Sequence, residues 1–411
     1  MSAMRAVHHE LSPLPADGQF FTRERAEQVR SFHKGIPGYA ATPLAGLPAL
    51  AEHLGVAGLY VKDESHRFGL NAFKGLGGSY SAGRYMASRL GIAPEAMTFE
   101  VLTAPAAKEQ LGEITFVTAT DGNHGRGVAW IAKRLGQKGV VYMPKGSAAE
   151  RLENIRAQGA DASITEFYYD DTVRFAKAQA DKNGWVLVQD TAWEGYRDIP
   201  LWIMQGYMTM ALEAVEQLGH SVPTHVFLQA GVGSMAGALA AFFRNCYGDK
   251  APRIILVEAD KADCFYETAK ANDGTIHTVG GALDTIMAGL ACGEPCSIAW
   301  ELLNACCRCF VSMSDDCAAR GMRILANPLD SDPAVVSGES GASGFGCAAD
   351  ILRQPELAGL KAELGLDDTS VILCFSTEGA TDVENYRKIL WDGLYSSNDP
   401  LFAGLSSGSE F

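Results

Sequence analysis

The sequence predicts an α/β fold with mostly parallel β-sheets. Short β-branched or apolar runs, such as "EITFVTAT" (113–120) and "THVFLQA" (224–230), alternate with longer stretches of helical periodicity, such as "GSMAGALAAFFRN" (233–245). This alternation is typical of parallel strands that are connected by helices covering the sheet. The predicted strands are apolar along their whole length, as strands in a parallel sheet covered on both faces are.

Predicted strands occur along most of the chain, with helical stretches between them. The strands are expected at 58–64, 113–120, 138–144, 161–167, 185–190, 224–230, 253–259 and 370–377. Helices are expected at 122–137, 148–159 and 233–245. Unusual loops follow four of the strands: "TDGNHG", "DTAWEGY", "GVGSMAG" and "STEGATD". Because ligands of open α/β sheets bind beyond the carboxyl ends of the strands, we expect these loops to meet in one cleft.

Length and charge limit the class of protein. A chain of 411 residues exceeds what one hydrophobic core usually supports, which predicts two domains. The formal net charge of −15 argues against nucleic acid or an anionic membrane surface as the main partner. No apolar run is long enough to span a membrane, and the first residues, "MSAMRAVHHELSPLP", lack the apolar centre of a signal peptide. We therefore expect a cytoplasmic protein.

All ten cysteines lie between Cys246 and Cys374. The segments "ACGEPC" and "NACCRCF" suggest a metal site, but neither has the paired C-x-x-C spacing of a zinc site. Free cysteines are commonly buried, and disulfides are uncommon in a reducing cytosol. We predict buried free thiols and no metal.

The glycine-rich loop "AGVGSMAGALAA" (230–241) follows a strand and opens a helix, which makes it a candidate anion site. Gly231 and Gly233 allow successive N–H groups to point at one anion, and the helix beginning near Ser234 adds its positive end. The anion could belong to a nicotinamide dinucleotide, with Glu258 placed to bind a ribose, or to pyridoxal phosphate. A tight turn that binds nothing is the third interpretation.

Lys74 in "NAFKGLGGSY" (71–80) favours pyridoxal phosphate. A lysine can bond to the aldehyde of that cofactor only as a neutral amine, and a small apolar pocket favours this form. A dehydrogenase would explain neither Lys74 nor "DGNHG". We expect the glycines after Lys74 to let the cofactor approach closely and to begin a helix beside it.

The order of "NAFKGLGG", "TDGNHGRG" and "AGVGSMAG" resembles the tryptophan synthase β-like, fold type II family of pyridoxal phosphate enzymes. The resemblance extends from about residue 38 to residue 386. It implies two α/β domains with the cofactor between them, for which we predict residues 1–85 plus 196–411 as the large domain and 86–195 as the small one. It also implies a homodimer.

The resemblance implies a role for each motif. Lys74 carries the cofactor as a Schiff base. Asn123 is implied to contact the 3′ oxygen of the cofactor ring, and Ser376, with Thr377 next, to give a hydroxyl to the pyridine nitrogen. The other residues implied to contact the cofactor are Gly231, Val232, Gly233, Ser234 and Met235 at the phosphate, and Glu339 near the ring. Those expected at the substrate are Ala72, Thr120, Asp121, Gly122, His124 and Asp190, with the substrate carboxylate on the N–H groups of residues 120–124. His124 could instead only pack in the core, and Glu339 could only cap a helix.

Asp121 and Asp190 distinguish the chain from the dehydratases of this family, which usually carry a small hydroxyl residue at the position of Asp121. With "SGESGASG" (337–344), they resemble the members that eliminate ammonia from 2,3-diaminopropionate. The β-ammonium of that substrate calls for negative charge near Cβ, although either acid could cap a helix instead. The resemblance implies an external aldimine, then aminoacrylate, and finally pyruvate and two molecules of ammonia.

Two bases on opposite faces of the cofactor would serve both enantiomers, so we assign Asp121 to the D-isomer and Lys74 to the L-isomer. Asp190 would hold or protonate the β-amine. A serine/threonine dehydratase or β-replacement enzyme of the same fold is the first alternative. An NAD-dependent dehydrogenase using "GVGSMAG" is the second. The resemblance also suggests that Cys264 pairs with Cys292, which the reducing compartment disfavours.

Overall fold

The computed structural model describes residues 4–120 and 122–396, apart from the side chain of Asp170, and in these residues eleven strands form two sheets. The larger sheet contains Arg5–His8 (β1), Leu44–Gly46 (β2), Gly58–Asp63 (β3), His225–Gln229 (β8), Arg253–Ala259 (β9), Cys307–Met313 (β10) and Val371–Ser376 (β11). The smaller sheet contains Thr115–Ala119 (β4), Lys138–Met143 (β5), Asp161–Ile164 (β6) and Val186–Leu187 (β7).

Helices connect the strands and cover the sheets. They are Arg23–Lys34 (α1), Pro48–Leu54 (α2), Gly75–Leu90 (α3), Phe99–Thr103 (α4), Pro105–Leu111 (α5), Asn123–Arg134 (α6), Ala149–Arg156 (α7), Tyr169–Asn183 (α8), Asp198–Leu218 (α9), Ser234–Tyr247 (α10), Cys264–Ala271 (α11), Ser297–Cys306 (α12), Asp315–Ala326 (α13), Glu339–Arg353 (α14), Ala358–Leu364 (α15) and Val383–Leu390 (α16). Within the described ranges, none of them is long and apolar enough to cross a membrane.

Both sheets are mostly parallel, which confirms the predicted α/β fold. The larger has the order β1-β10-β9-β8-β11-β3-β2, and its two edge strands, β1 and β2, pair antiparallel with their neighbours. The smaller has the order β6-β5-β4-β7 and is parallel throughout. All four strands of the smaller sheet lie within residues 86–195, and those of the larger lie outside that range. The limits of the two domains remain a prediction.

The eight predicted strands are all present, although β6 and β7 are shorter than expected. Strands β1, β2 and β10 were not predicted. The segment "NACCRCF", considered above as a metal motif, joins the end of α12 to β10. The ten cysteines are free thiols, eight of them buried. In the part of the chain that the structure describes, no group of three or more His, Cys, Asp or Glu side chains is arranged to hold a metal ion.

The glycines that follow Lys74 begin helix α3, as expected, and they also allow close packing against neighbouring segments. A Cβ on Gly77 would lie 2.6 Å from the Cε1 atom of Tyr207 on α9, and a Cβ on Gly75 would lie 2.8 Å from Leu70. From the other side, a Cβ on Gly206 would lie 2.5 Å from the carbonyl oxygen of Leu76. Helices α3 and α9 therefore approach so closely that only glycine fits, and this contact holds the start of α3, next to Lys74.

We expect replacement of Gly206 by alanine to lower the free energy of unfolding by about 1–3 kcal/mol, because the new methyl group meets rigid backbone. The matched control is Gly359→Ala on α15, where a Cβ meets no atom within 4 Å. That change should be neutral or stabilise by up to about 1 kcal/mol, since alanine favours helix. Denaturant unfolding of both variants measures the difference. Equal stability of the two variants would show that the α3–α9 contact is not tight.

Candidate active site

The four loops predicted to converge do meet, at a cavity of about 500 Å³ at the carboxyl ends of the two sheets. Smaller-sheet loops after β4 and β7 form one side, and larger-sheet loops after β8 and β11 form the other. The predicted residues that line this cavity are Lys74, Thr120, Gly122, Asn123, His124, Asp190, Gly231, Val232, Gly233, Ser234, Met235 and Thr377. Ala72, Glu339 and Ser376 are not among the lining residues, and Asp121 lies outside the described residues.

Lys74 and Asp190 form an ion pair inside the cavity. The Nζ atom of Lys74, at the start of α3, lies 2.5 Å from Oδ2 of Asp190. Burial of Asp190 raises the pKa of its carboxyl, but the charges of Lys74 and His124 outweigh burial and lower that pKa to about 2. Asp190 is therefore a carboxylate at neutral pH, and it holds the lysine amine at the cavity.

The loop after β8 has the geometry of an anion site. Gly233 has a φ angle of +85°, and a Cβ there would lie 2.3 Å from the ring of Phe265. The loop thus turns directly into α10, and the N-terminal end of that helix, with its unpaired N–H groups, lies at the cavity. The hydroxyl of Ser234 donates to the backbone oxygen of Asp190 at 2.6 Å, which ties this loop to the Lys74–Asp190 pair.

Glu258 does not serve as the ribose-binding acid that a dinucleotide site would need. Its carboxylate is fully buried and accepts hydrogen bonds from the backbone N–H groups of Phe265 (2.9 Å) and Tyr266 (2.7 Å). Burial raises the pKa of this carboxyl well above its usual range. Glu258 therefore acts at the start of α11 and has no contact with the cavity.

The loop after β4 places polar groups on the opposite wall. The Thr120 hydroxyl accepts hydrogen bonds from the N–H groups of Gly122 (3.0 Å) and Gly125 (3.2 Å), which shapes the turn into α6. His124 contacts the backbone oxygen of Val188 through Nε2 at 2.8 Å, and its Nδ1 lies 3.8 Å from Oδ2 of Asp190. His124 is thus a buried neighbour of Asp190 as well as a lining residue.

Glu378 lines the cavity and was missed by the sequence reasoning, which stopped at the neighbouring hydroxyls. Its Oε2 accepts a hydrogen bond from Nδ2 of Asn123 at 2.5 Å, so the residue expected to face the cofactor ring oxygen is oriented by a carboxylate. Of the two hydroxyl residues in "FSTEG", Thr377 lines the cavity, whereas Ser376 donates to the hydroxyl of Ser337 at 2.8 Å. Thr377 is therefore better placed than Ser376 to offer a hydroxyl to the pyridine nitrogen of the cofactor.

Ala72 and Glu339 lie behind this wall. Ala72 is buried and pairs through a β-bridge with Glu378. Glu339 begins α14, and its Oε1 accepts a hydrogen bond from Asn385 at 2.5 Å. Burial and the nearby charge of Glu378 raise the pKa of Glu339 to about 7.

The raised pKa of Glu339 predicts a pH-dependent stability. The folded state binds a proton that the unfolded chain releases at its ordinary pKa of 4.5, so this contribution is complete below pH 4.5 and is lost as the pH rises through 7. We expect Glu339→Gln to reduce the fall in unfolding free energy between pH 5 and pH 8 by up to about 3 kcal/mol. Denaturant titrations at both pH values measure it. The exposed Glu384→Gln is the control, and an unchanged slope in the Glu339 variant would contradict the prediction.

Cys264 and Cys292 lie close together, and no disulfide joins them. The Sγ atom of Cys264 lies 3.6 Å from the backbone oxygen of Cys292, and Cys292 lines the cavity. Burial raises the pKa of Cys264 well above its usual range, which opposes thiolate formation.

A sequence profile described as "pyridoxal-phosphate dependent enzyme" matches residues 36–371. The chain belongs to this family. It is 50% identical to the diaminopropionate ammonia-lyase of Salmonella typhimurium over 370 residues. The aligned region covers 89% of this chain and 92% of that enzyme. The resemblance inferred from the motifs is thereby confirmed.

Solved structures of a relative agree with this assignment. Diaminopropionate ammonia-lyase from Escherichia coli in complex with D-serine superposes with a TM-score of 0.88 and 45% identity, covering 96% of this chain and 98% of that one. The same enzyme with an aminoacrylate–pyridoxal phosphate azomethine intermediate superposes with a TM-score of 0.86 and 46% identity. That comparison covers 96% of this chain and 98% of the other. The predicted fold type II architecture and the predicted cofactor are confirmed. The chain is a pyridoxal-phosphate-dependent enzyme.

The residues of the cavity fit pyridoxal phosphate. Lys74 offers an amine for the aldehyde, the Gly231–Met235 loop offers backbone N–H groups for the phosphate, and Thr377 offers a hydroxyl for the ring nitrogen. Bound there, the cofactor supplies an electron sink for a carbanion at the substrate Cα.

Proposed function

We propose that this enzyme eliminates ammonia from 2,3-diaminopropionate and releases pyruvate and a second ammonia. The observation that carries the proposal is the pair formed by Lys74 and the ionised Asp190, 2.5 Å apart in the cavity. A carboxylate beside the reacting lysine provides negative charge for a substrate that bears a β-ammonium. The 50% identical relative named for this substrate supports the same choice.

The low pKa of Asp190 narrows its role. With a pKa of about 2, Asp190 is a poor proton donor at neutral pH and a good partner for a cation. We therefore assign it to hold the β-ammonium next to the leaving bond. Lys74 takes and returns protons on its own side of the cofactor, and the N–H groups of the loop after β4 bind the substrate carboxylate.

The choice of base for each enantiomer is also a proposal. We assign the Cα proton of the L-isomer to Lys74 and that of the D-isomer to Asp121, which lies outside the described residues. The relative crystallised with D-serine supports a site that admits a D-amino acid. Asp121→Asn should lower pyruvate formation from the D-isomer and leave the L-isomer rate unchanged.

Pyruvate and ammonia release from D- and L-diaminopropionate, compared with D- and L-serine, tests the reaction. We expect two ammonia per pyruvate from diaminopropionate, and a kcat/KM above that for either serine. Faster turnover of serine would favour the dehydratase alternative. Turnover of neither substrate would overturn the proposal.

We also propose a cytoplasmic homodimer, with the domain limits given above. The proposal rests on the family resemblance and on the division of the strands between two sheets. Sedimentation of the purified holoenzyme tests the dimer, and limited proteolysis tests the limits of the domains.

A further inference from the structure

Arg126 is a cation of the cavity that has no acid partner among the described residues. It lies on α6 and lines the cavity, one helical turn after Asn123. Its Nη1 donates to the backbone oxygen of Leu70 at 3.0 Å, which fixes the direction of the guanidinium. Its Nε is buried without a hydrogen-bond partner, and no acid of the described ranges acts on its charge.

Arg126 is half-buried, and the two guanidinium groups that are buried in this fold are neutralised by carboxylates. Arg67, fully buried, pairs with Glu64 at 2.8 Å and with Glu213 at 2.7 Å. Arg320 pairs with Asp350 and, at 3.4 Å, with Asp316. A buried charge without a partner is costly, so it is normally paired or placed to meet a ligand. Burial also lowers the pKa of Arg126, with no acid nearby to oppose it.

Two anionic groups are expected in this site, the phosphate of the cofactor and the carboxylate of the substrate. The position of Arg126 indicates which of the two it contacts. The cofactor phosphate fits the N–H groups of the Gly231–Met235 loop at the start of α10, which follows the larger sheet. Arg126 lies on α6, which follows the smaller sheet, on the same helix face as Asn123. The remaining anion is the substrate carboxylate, which the loop after β4 receives.

We infer that Arg126 binds the α-carboxylate of the amino-acid substrate and makes the site specific for free amino acids over their amides. The inference deepens the proposed function and rests on an α-amino acid as the substrate, whatever its β-substituent. A guanidinium already anchored on the Leu70 oxygen loses little freedom when it receives a carboxylate, and its half-buried charge is then neutralised.

A titration of the holoenzyme with alanine and with alaninamide tests the inference, followed by the visible absorbance of the bound cofactor. Alanine has no β-leaving group, so the result does not depend on diaminopropionate being the natural substrate. We expect wild type to bind alanine more tightly than alaninamide. In Arg126→Gln, alanine should bind about tenfold to a hundredfold more weakly, and alaninamide less than twofold more weakly.

Two further variants keep the result specific. Arg126→Lys retains the charge and should fall between wild type and Arg126→Gln. Arg134→Gln removes an exposed arginine from the end of the same helix, where it stacks on Trp130, and should match wild type. Equal losses for alanine and alaninamide would overturn the inference, because they would indicate a structural role. Loss of cofactor affinity in Arg126→Gln would also overturn it, because the guanidinium would then face the cofactor.

Discussion

Replacing Lys74 by alanine should abolish turnover, with kcat lowered by about 10⁴-fold or more. The Nζ atom of Lys74 lies in the cavity, held by Asp190 at 2.5 Å, and in the described chain no second lysine is paired with that carboxylate. The variant loses the amine that we propose bonds to the cofactor, which is also the base proposed for the L-isomer. Pyruvate release from both isomers measures the effect.

The spectrum of the same variant separates loss of chemistry from loss of folding. Lys74→Ala should lack the visible band that borohydride bleaches in wild type, while keeping the thermal stability of the cofactor-free protein. A small amine added to the solution should restore part of the turnover, since it supplies the missing proton acceptor. Lys138→Ala, an exposed change on β5, is the control. A Lys74→Ala protein that kept the band and the activity would remove Lys74 from the mechanism.

The residues that could be predicted belong to local motifs. Lys74 and the Gly231–Met235 loop lie in short segments whose chemistry can be inferred without knowledge of the fold. The Gly231–Met235 loop follows a predicted strand, which places the loop at the carboxyl end of that strand. The alternation of strands and helices was sufficient for the parallel sheets. Strand β10 was not predicted, although the predicted burial of its cysteines is correct: Cys307 and Cys309 are buried in the sheet.

What could not be predicted depends on contacts between distant segments. Glu378 orients Asn123 from 255 positions away, and neither segment alone indicates that partner. The glycines after Lys74 show the same limit. Their small size was correctly seen as necessary, but the sequence does not reveal that α9, with Gly206 and Tyr207, occupies the space beside them. Asp190 could be suspected as an acid at a strand end; its pairing with Lys74 required the two sheets to be placed.

Replacing Asp190 by asparagine should lower kcat for diaminopropionate by about 10²–10⁴-fold. The buried carboxylate is ionised, with a pKa of about 2, and an amide of the same size cannot stabilise a β-ammonium. The amide also cannot hold Lys74 by charge, so the lysine becomes less well positioned. Asp198→Asn, an exposed change at the start of α9, controls for the loss of one negative charge.

A second substrate separates those two effects of Asp190→Asn. β-Chloroalanine loses chloride, which leaves as an anion and requires no carboxylate beside it. If Asp190 acts on the leaving ammonium, Asp190→Asn should lower kcat less than tenfold with β-chloroalanine. With diaminopropionate, the same change should lower kcat at least 10²-fold. Equal losses of kcat on both substrates would assign Asp190 to the positioning of Lys74. The preference for a diamino acid would then have to come from another acid of the cavity. Glu378 would be the next to test, because it is buried and lines the same cavity.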